Sequence, residues 1–391
     1  MTPQPVVEAS APGKLYIAGE YAVVHPGHAA LLIAVDRYIH VTLTPTGTTH
    51  GEIRTHTTDP TQPNHPPLHW NATTNPHTAA HFHTNDHGFH KYVAAAITTV
   101  ERWRAEKNLP PSAYTIDTTS TLNDTTSGTK FGLGSSAAIT TATIAAAAHH
   151  HGLHPTPEQI YRLATIATTR ITTKTSGGDI AASALGGWVH YHSPDRTWLH
   201  HHAWTPHTTT TINHLLTTPW PGLTLHRITP ADPGIQLAVG WTGTPADTTT
   251  LVGNIVKKTA LPDTLLHRSD AAVDALTTAL TTHNTTAIAT AIATARHILG
   301  HIAQQRGVTI ETPALHTLAT IALTTGWWAK SSGAGGGDCG IALTTPDTNP
   351  HALHHHWATA GIQPLDLHVS PHGAHATTTP NHHTPMEGDG E

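Results

Sequence analysis

Hydrophobic and small residues divide the chain into short segments with the periods of strands and helices. Continuous or alternating apolar runs predict strands, and apolar residues three and four positions apart predict helices. Between residues 92 and 107, for example, Tyr92, Ala96, Val100 and Trp103 fall on one helical face. The predicted strands cover residues 6–24 (two strands around a tight turn), 31–43, 114–121, 187–191, 236–242 and 341–343. The predicted helices cover residues 92–107, 137–148, 156–169, 265–282, 286–302 and 313–322.

A glycine-rich loop stands directly before the most uniform of these helix patterns. Residues 130–138 read Lys-Phe-Gly-Leu-Gly-Ser-Ser-Ala-Ala, and the run 137–148 is rich in alanine without Pro or Gly. Such a loop points free backbone N–H groups outward at the positive end of the helix dipole and lets a phosphate approach the backbone. A turn that only caps a buried helix is the alternative. Because Ser135 and Ser136 add hydroxyls able to reach phosphate or Mg²⁺, the pattern favours a phosphate site.

Chain length predicts two domains, since 391 residues are many for one hydrophobic core. We expect the first domain at residues 1–211 and the second at 212–370, with the strand at 236–242 as the first clear element of the second. Residues 371–391 are rich in Pro, His and Thr and end in acidic residues, which predicts a disordered tail.

Charge and composition argue against several classes of protein. The net charge is −6 with only 19 Lys and Arg, whereas a nucleic-acid-binding protein should carry a basic patch. No window reaches 18 apolar residues and the first residues resemble no signal peptide, so we expect no membrane association. The single cysteine excludes an intramolecular disulfide and suits a reducing, cytoplasmic location.

Histidine is unusually abundant, with 38 residues scattered along the chain. The histidines keep no ligand spacing with cysteine or acidic residues, so we interpret them as compositional drift and do not expect structural zinc. They do predict a net charge that varies strongly with pH, between about 5.5 and 7.

Three residues outside the loop carry potential chemistry, each with an alternative interpretation. Lys14 is the one cation in the apolar segment 11–24, and it is either a snorkelling surface residue or a cation that faces a cleft. Asp179 follows a Gly-Gly turn, and it either caps the next helix or orients a nucleophile and accepts its proton. For Cys339, a buried small hydrophobe is favoured over a reactive thiol.

Several segments, taken in order, resemble one family. Residues 132–138 resemble the phosphate-binding motif of the GHMP kinases, the superfamily of galactokinase, homoserine, mevalonate and phosphomevalonate kinases, and do not fit the P-loop because no Lys follows the second glycine. Residues 12–24 resemble the first motif of that family. Residues 176–183 are similar to its Ser-x-Gly-Asp segment, while 240–246 and 329–340 are similar to segments of the members that act on phosphomevalonate.

The resemblance implies an α+β fold with two domains, the first like ribosomal protein S5 domain 2 and the second ferredoxin-like. ATP and the acceptor would bind in the cleft between them. It also implies phosphorylation of (R)-5-phosphomevalonate to (R)-5-diphosphomevalonate by ATP with Mg²⁺, in the mevalonate route to isoprenoids, and it implies no obligate protein partner.

Site residues follow from the same resemblance. Lys14 and Asp179 would be catalytic, the first by balancing phosphate charge and the second by orienting the acceptor or acting as base. The ATP phosphates would be bound by Lys130, Gly132, Leu133, Gly134, Ser135, Ser136 and Ala137, with Ser136 also ligating Mg²⁺. The acceptor would be bound by Glu20, Tyr21, Ser176, Lys330, Ser331, Ser332 and Gly333.

Departures from the family pattern leave alternatives open. Residues 165–173 contain no acid, so the second Mg²⁺ ligand is not assigned, and Lys174 is either a phosphate contact or solvent-exposed. The substrate could instead be that of a sister enzyme, which phosphorylates mevalonate or decarboxylates diphosphomevalonate. A catalytically silent nucleotide-binding regulator is a more remote alternative.

Overall fold

The computed structural model describes residues 5–55, 65–124, 127–205, 208–232, 234–244 and 261–379. These residues form two β-sheets with helices packed on them, which confirms the predicted α+β class. The strands are β1 Val6–Ala18, β2 Ala29–Pro45, β3 His50–Thr55, β4 Leu68–Ala72, β5 Ala80–Phe82, β6 Tyr114–Ser120, β7 Trp188–His192, β8 Thr224–Ile228, β9 Gln236–Trp241, β10 Trp328–Ser331, β11 Cys339–Thr344, β12 Gln363–Leu365 and β13 His375–Thr379. The helices are α1 Lys91–Glu106, α2 Ser135–His150, α3 Pro157–Thr169, α4 Gly178–Leu185, α5 Arg196–Trp204, α6 Ile212–Thr217, α7 Asp263–Thr281, α8 Thr285–Arg306, α9 Pro313–Thr324 and α10 His351–Thr359.

The first sheet is built around β1. Within the described residues its order is β13-β1-β2-β6-β3-β4-β5, with β7 paired to β2 and β8 to β7. The pairing of β1 with β2 is irregular between Pro12 and Gly13. Lys14 is the second residue after this irregularity and is paired with Ala34, and bulges commonly re-aim nearby side chains.

Helix α2 explains why its sequence is so rich in small residues. It packs on β1 and β2 and against α1, α3 and α4, so it is enclosed on nearly every side. Alanine permits this close approach, and the hydroxyls of the buried Thr140, Thr141 and Thr143 bond to carbonyls four residues earlier. These internal bonds satisfy polar groups that have no access to water.

The second sheet has the ferredoxin-like arrangement that the resemblance implied. Its elements follow in the order β9, helices α7 to α9, β10, β11, α10, β12, and its strands lie in the antiparallel order β10-β11-β9-β12. Gly240 and Gly340 lie under the helix layer, where an added Cβ would come within 2.8 Å and 2.7 Å of Leu318.

Two strands do not fit the predicted division of the chain into domains and a tail. Strand β8, at residues 224–228, joins the first sheet although it follows the boundary placed at residue 211. The predicted disorder is wrong for residues 371–379, because β13 pairs with β1 from Val6↔Thr379 to Ser10↔His375. The strand keeps its side chains largely exposed and is bound through its backbone, so its low apolar content was a misleading signal. Residues 380–391 of the predicted tail lie outside the described residues.

Among the residues that the structure describes, no helix combines the length and apolar content needed to span a bilayer.

Candidate active site

The glycine loop adopts a conformation that its sequence requires. Gly134 is the N-cap of α2 with φ 83°, and Gly132 has φ 79°. A Cβ on Gly132 would lie 2.4 Å from the Asp338 carboxyl group, and one on Gly134 would lie 3.0 Å from Cγ of Lys14. The first N–H groups of α2 have no acceptor within the helix, and they lie at its positive end. The loop can therefore bind an anion directly beside a buried lysine.

Lys14 lies inside the cleft rather than on the outer surface. It is only 9% exposed, and its Nζ donates a hydrogen bond to the carbonyl of Gly132 at 2.9 Å. The same Nζ lies 5.6 Å from the centre of the Tyr16 ring. Both contacts involve neutral groups, so neither a hydrogen bond nor the ring contact pairs the positive charge of Lys14 with a carboxylate, and the charge can act on a bound anion.

Asp179 does not occupy the capping position that one interpretation gave it. The N-cap of α4 is Gly177, and Asp179 is the second residue of the helix, where Oδ1 accepts from the N–H of Ile180 at 3.0 Å. A Cβ on Gly134 would lie 3.6 Å from Cβ of Asp179, so the carboxylate adjoins the glycine loop. Burial raises the pKa of Asp179 above its usual value, while the charge of Lys14 acts in the opposite direction.

The turn before α4 is fixed by hydrogen bonds to Ser176. Its Oγ accepts from the N–H of Gly178 at 3.2 Å and lies 2.7 Å from the hydroxyl of Tyr16. Its carbonyl accepts from Tyr191 at 2.7 Å and from Arg196 at 2.9 Å. Burial raises the pKa of Tyr16 far above its usual value, so this hydroxyl stays protonated. The network holds the Asp179 backbone rigidly against β1.

Lys330 lies in a different environment from the one predicted. It is fully buried, and its Nζ donates to Oε1 of Glu20 and to the carbonyl of Ser331. The charge of Lys330 is thus cancelled by a buried carboxylate instead of facing a ligand. The pair joins β10 to the turn after β1, so Lys330 and Ser331 occupy structural positions, not the predicted contact with the acceptor.

Other predicted acceptor residues shape the wall of the cleft. Tyr21 has φ 64°, an uncommon value for a non-glycine residue, and its hydroxyl bonds to the carbonyl of Ala334. The Ser332 hydroxyl bonds both the N–H and the carbonyl of Tyr16, each at 2.9 Å. These contacts fasten the second glycine-rich segment to β1.

A cavity of about 640 Å³ brings half of the predicted site residues together. The predicted residues that line it are Lys14, Glu20, Tyr21, Gly132, Ser176, Asp179, Ser332 and Gly333. Ser135 and Ser136 are half-buried at the start of α2, whereas Leu133 and Ala137 are buried. Lys130 is exposed, and its backbone forms an isolated antiparallel β-bridge with Asn123.

Three further charged residues line the same cavity: Lys91, Lys174 and Asp338. Lys91 opens α1 with its Nζ 5.5 Å from the centre of the Tyr92 ring, and sequence reasoning missed it because it only begins an amphipathic pattern. Asp338 has φ 52° and lies in the segment 329–340, where the sequence predicted no role for an acidic side chain. The feature of the sequence that could have indicated Asp338 as a site residue is an acidic side chain within a run of glycines. Lys174 is exposed and also lines the cavity, so both interpretations given for it remain open.

Cys339 matches the favoured interpretation as a buried small residue. It is 2% exposed, and its Sγ lies 3.2 Å from the carbonyl of Phe131. Burial raises the pKa of the thiol, so Cys339 stays protonated and is a poor nucleophile.

Profiles of known protein families match both halves of the chain. The GHMP kinases N terminal domain profile matches residues 91–187, and the GHMP kinases C terminal profile matches residues 278–363. The chain is 37% identical over 376 residues to the phosphomevalonate kinase of Streptomyces sp. strain CL190, which covers 94% of this chain and 98% of that protein.

Solved structures share the whole architecture. The Lin0012 protein from Listeria innocua matches with a TM-score of 0.81 at 30% identity, over 96% of this chain and 99% of that one. The phosphomevalonate kinase of Streptococcus pneumoniae, in complex with phosphomevalonate and AMPPNP, has the same fold with a TM-score of 0.77 at 24% identity, over 93% and 99%. Likeness along nearly the whole length, together with both matching domains, shows that the chain belongs to the GHMP kinase family.

Proposed function

We propose that the protein is a phosphomevalonate kinase of the mevalonate pathway of isoprenoid biosynthesis. It transfers the terminal phosphoryl group of ATP to (R)-5-phosphomevalonate and releases ADP and (R)-5-diphosphomevalonate. One observation carries the proposal: a near-full-length likeness to a protein of that activity coincides with a cleft in which Lys14, Asp179 and the loop before α2 adjoin.

The loop before α2 is suited to the phosphates of ATP. Phosphoryl transfer requires little covalent work from the protein and depends on positioning and charge neutralisation. The left-handed Gly132 and Gly134 bring backbone N–H groups close to a phosphate without side-chain obstruction. The adjoining hydroxyls of Ser135 and Ser136 add further donors.

Lys14 supplies positive charge where the transferring group is held. Its Nζ donates to the Gly132 carbonyl and lies near the Tyr16 ring, and it is shielded from bulk water. In such an environment a cation stabilises developing negative charge more strongly than it does in water.

Asp179 orients the acceptor more than it deprotonates it. A phosphate acceptor is already largely ionised near pH 7, because its second pKa is about 6. The rigid turn around Ser176 fixes the carboxylate beside the glycine loop, where it can accept a hydrogen bond from a protonated acceptor oxygen.

A phosphorylated acceptor also explains the cations that sequence reasoning left unassigned. Lys91 and Lys174 are exposed at the cavity, and they can neutralise an acceptor phosphate that an unphosphorylated alcohol lacks. This arrangement favours phosphomevalonate over mevalonate.

The donors around the loop fit Mg²⁺, which prefers oxygen ligands. Ser136, with Ser135, offers hydroxyls, and the carboxylates of Asp179 and Asp338 adjoin Gly134 and Gly132. Bound there with ATP, the metal would neutralise charge on the phosphates. Asp338 is thus our candidate for the second ligand that residues 165–173 do not supply.

Substrate choice is tested by ADP release with mevalonate, phosphomevalonate and diphosphomevalonate as separate acceptors. We expect ADP to form with phosphomevalonate at a rate far above the other two, with D179N as the matched enzyme control. Preferential reaction with mevalonate, or CO₂ release from diphosphomevalonate, would assign a sister activity. ATP binding without turnover on any of the three would favour the silent regulator.

The proposed location is the cytoplasm. ATP is available there, and the reducing conditions suit a chain whose single cysteine is a free thiol. Phosphomevalonate and ATP are the partners that this function requires.

A further inference from the structure

We propose that the protein carries a binding site for a divalent transition-metal ion of the zinc class, formed by His190, His192 and Asp274, outside the catalytic cleft. His190 and His192 lie on the same face of β7, two residues apart, and Asp274 projects from α7. Nothing in their sequence spacing indicates this site, because the third residue follows the second by some eighty positions. The histidines keep no ligand spacing along the sequence, and this group comes together only in the fold.

The three side chains offer ligand atoms that already converge. One ligand atom from each lies within 4.8 Å of the others, and His190 Nε2 is 3.2 Å from Asp274 Oδ1. Ligands on a tetrahedral zinc ion at about 2.0–2.1 Å are about 3.3 Å apart, so this pair is already at coordination spacing. Imidazole and carboxylate are both ordinary zinc ligands.

His192 is oriented for coordination by a second contact. Its Nδ1 lies 2.9 Å from the carbonyl of Gly27, and a carbonyl only accepts hydrogen bonds. Nδ1 therefore carries the hydrogen, and the lone pair of the neutral ring is on Nε2. Metal-binding histidines are commonly fixed by such a bond from the other ring nitrogen to a backbone carbonyl.

A fourth imidazole adjoins the group. His226 on β8 is the cross-strand partner of His190, and the two ring centres are 4.8 Å apart. It is exposed, so its side chain has room to turn towards the metal. The fourth ligand is either this ring or a water molecule.

An ion pair between His190 and Asp274 is the simpler interpretation, and it leaves part of the arrangement unexplained. An ion pair needs one imidazole, whereas three imidazoles lie together here, with the His190 and His192 ring centres 5.2 Å apart. Protonated rings at this spacing repel one another, whereas a metal ion binds neutral rings and gains from each. The metal would bridge β7 to α7, because the two histidines lie on β7 and Asp274 lies on α7.

Zinc titration of the chelator-treated, full-length protein at about pH 7.5, where ordinary imidazoles are neutral, tests the site. We expect the wild type to bind one more zinc ion per chain than H192Q and to gain melting temperature with zinc. Loss of a ligand should weaken this binding at least about tenfold. H355Q, which removes an exposed histidine from the run at 354–356, is the matched control and should retain the wild-type curve.

D274N provides the second variant and separates the two interpretations. Asparagine keeps the shape and can still accept a hydrogen bond from His190. For a metal site, D274N and H192Q should differ from the wild type mainly when zinc is present, while zinc-free turnover stays unchanged because none of these residues lines the cleft. Zinc binding and zinc-dependent melting equal to the wild type in both variants would reduce the group to an ion pair and overturn the proposal.

Discussion

Lys14 and Lys330 are both buried lysines near one cleft, and they differ in what balances their charge. Lys14 is 9% exposed and donates to a backbone carbonyl, whereas Lys330 is fully enclosed and donates to the carboxylate of Glu20. We therefore expect the charge of Lys14 to act on a ligand, whereas the charge of Lys330 is paired within the fold. The comparison shows that burial alone does not make a lysine a ligand contact, because the hydrogen-bond partner of the lysine matters as well.

The largest effect is expected from K330M, which leaves the carboxylate of Glu20 buried without its partner. Removal of one member of a buried ion pair lowers the free energy of unfolding by about 3–5 kcal/mol. Denaturant unfolding measures it. The double variant K330M/E20Q, which removes both charges, should be more stable than K330M. Wild-type stability in K330M would show that the pair contributes nothing.

K14M should act on turnover instead of stability. Loss of this cation should lower kcat about a hundredfold, roughly 3 kcal/mol of transition-state stabilisation. The melting temperature should change less than in K330M, because Lys14 acts on the buried Asp179 carboxyl group through charge, whereas Lys330 donates a hydrogen bond to Glu20. A folded K14M enzyme with ordinary turnover would show that Lys14 has no role in the mechanism, and Lys14 and Lys330 would then not differ in function.

D179N separates orientation of the acceptor from a structural role. We expect turnover to fall by tens-fold, on the order of 2 kcal/mol. The raised pKa of Asp179 means that the native state holds this proton more tightly than the unfolded chain does, so the carboxyl group destabilises the fold as pH rises through that pKa. D179N should therefore be at least as stable as the wild type at about pH 8, by thermal melting. A destabilised variant with normal turnover is the opposite outcome.

The smallest effects are expected at the exposed cations of the cleft. K91M and K174M should each raise KM for the acceptor by about three- to tenfold with little change in kcat, since they bind the acceptor phosphate in ground and transition states alike. K107M alters an exposed lysine at the far end of α1 and serves as the control. An unchanged KM in both cleft variants would contradict their assignment.

Local sequence predicted the parts of the site that local geometry determines. The glycine loop, the start of α2 near Ser135 and the Gly177 turn before Asp179 follow from neighbouring residues, since left-handed glycines and a small-residue helix specify them. The likeness of the segment around Lys14 to a family motif identified that residue, although its own composition left its direction open.

Contacts between segments that are distant along the chain could not be predicted from the sequence. The partner of Lys330 is Glu20, 310 positions earlier, and no pattern near either residue indicates the pairing. Asp338 reaches the cleft only because it packs against Gly132, and the convergence of His190 with Asp274 likewise depends on how α7 lies on the first sheet. Charge pairing of this kind is decided by tertiary structure.

Strand β13 has a consequence for how the chain is made. It covers one side of β1, the strand that carries Lys14, through pairs such as Val6↔Thr379. On the ribosome, β1 emerges long before residue 375, so that side of the strand stays uncovered until residues 375–379 have been made. Pairing of β1 with β13 closes a loop that spans almost the whole described chain, and closure of so long a loop favours slow folding. A nascent chain arrested in the second domain would present an open backbone edge, a template for pairing with other chains and a target for chaperones.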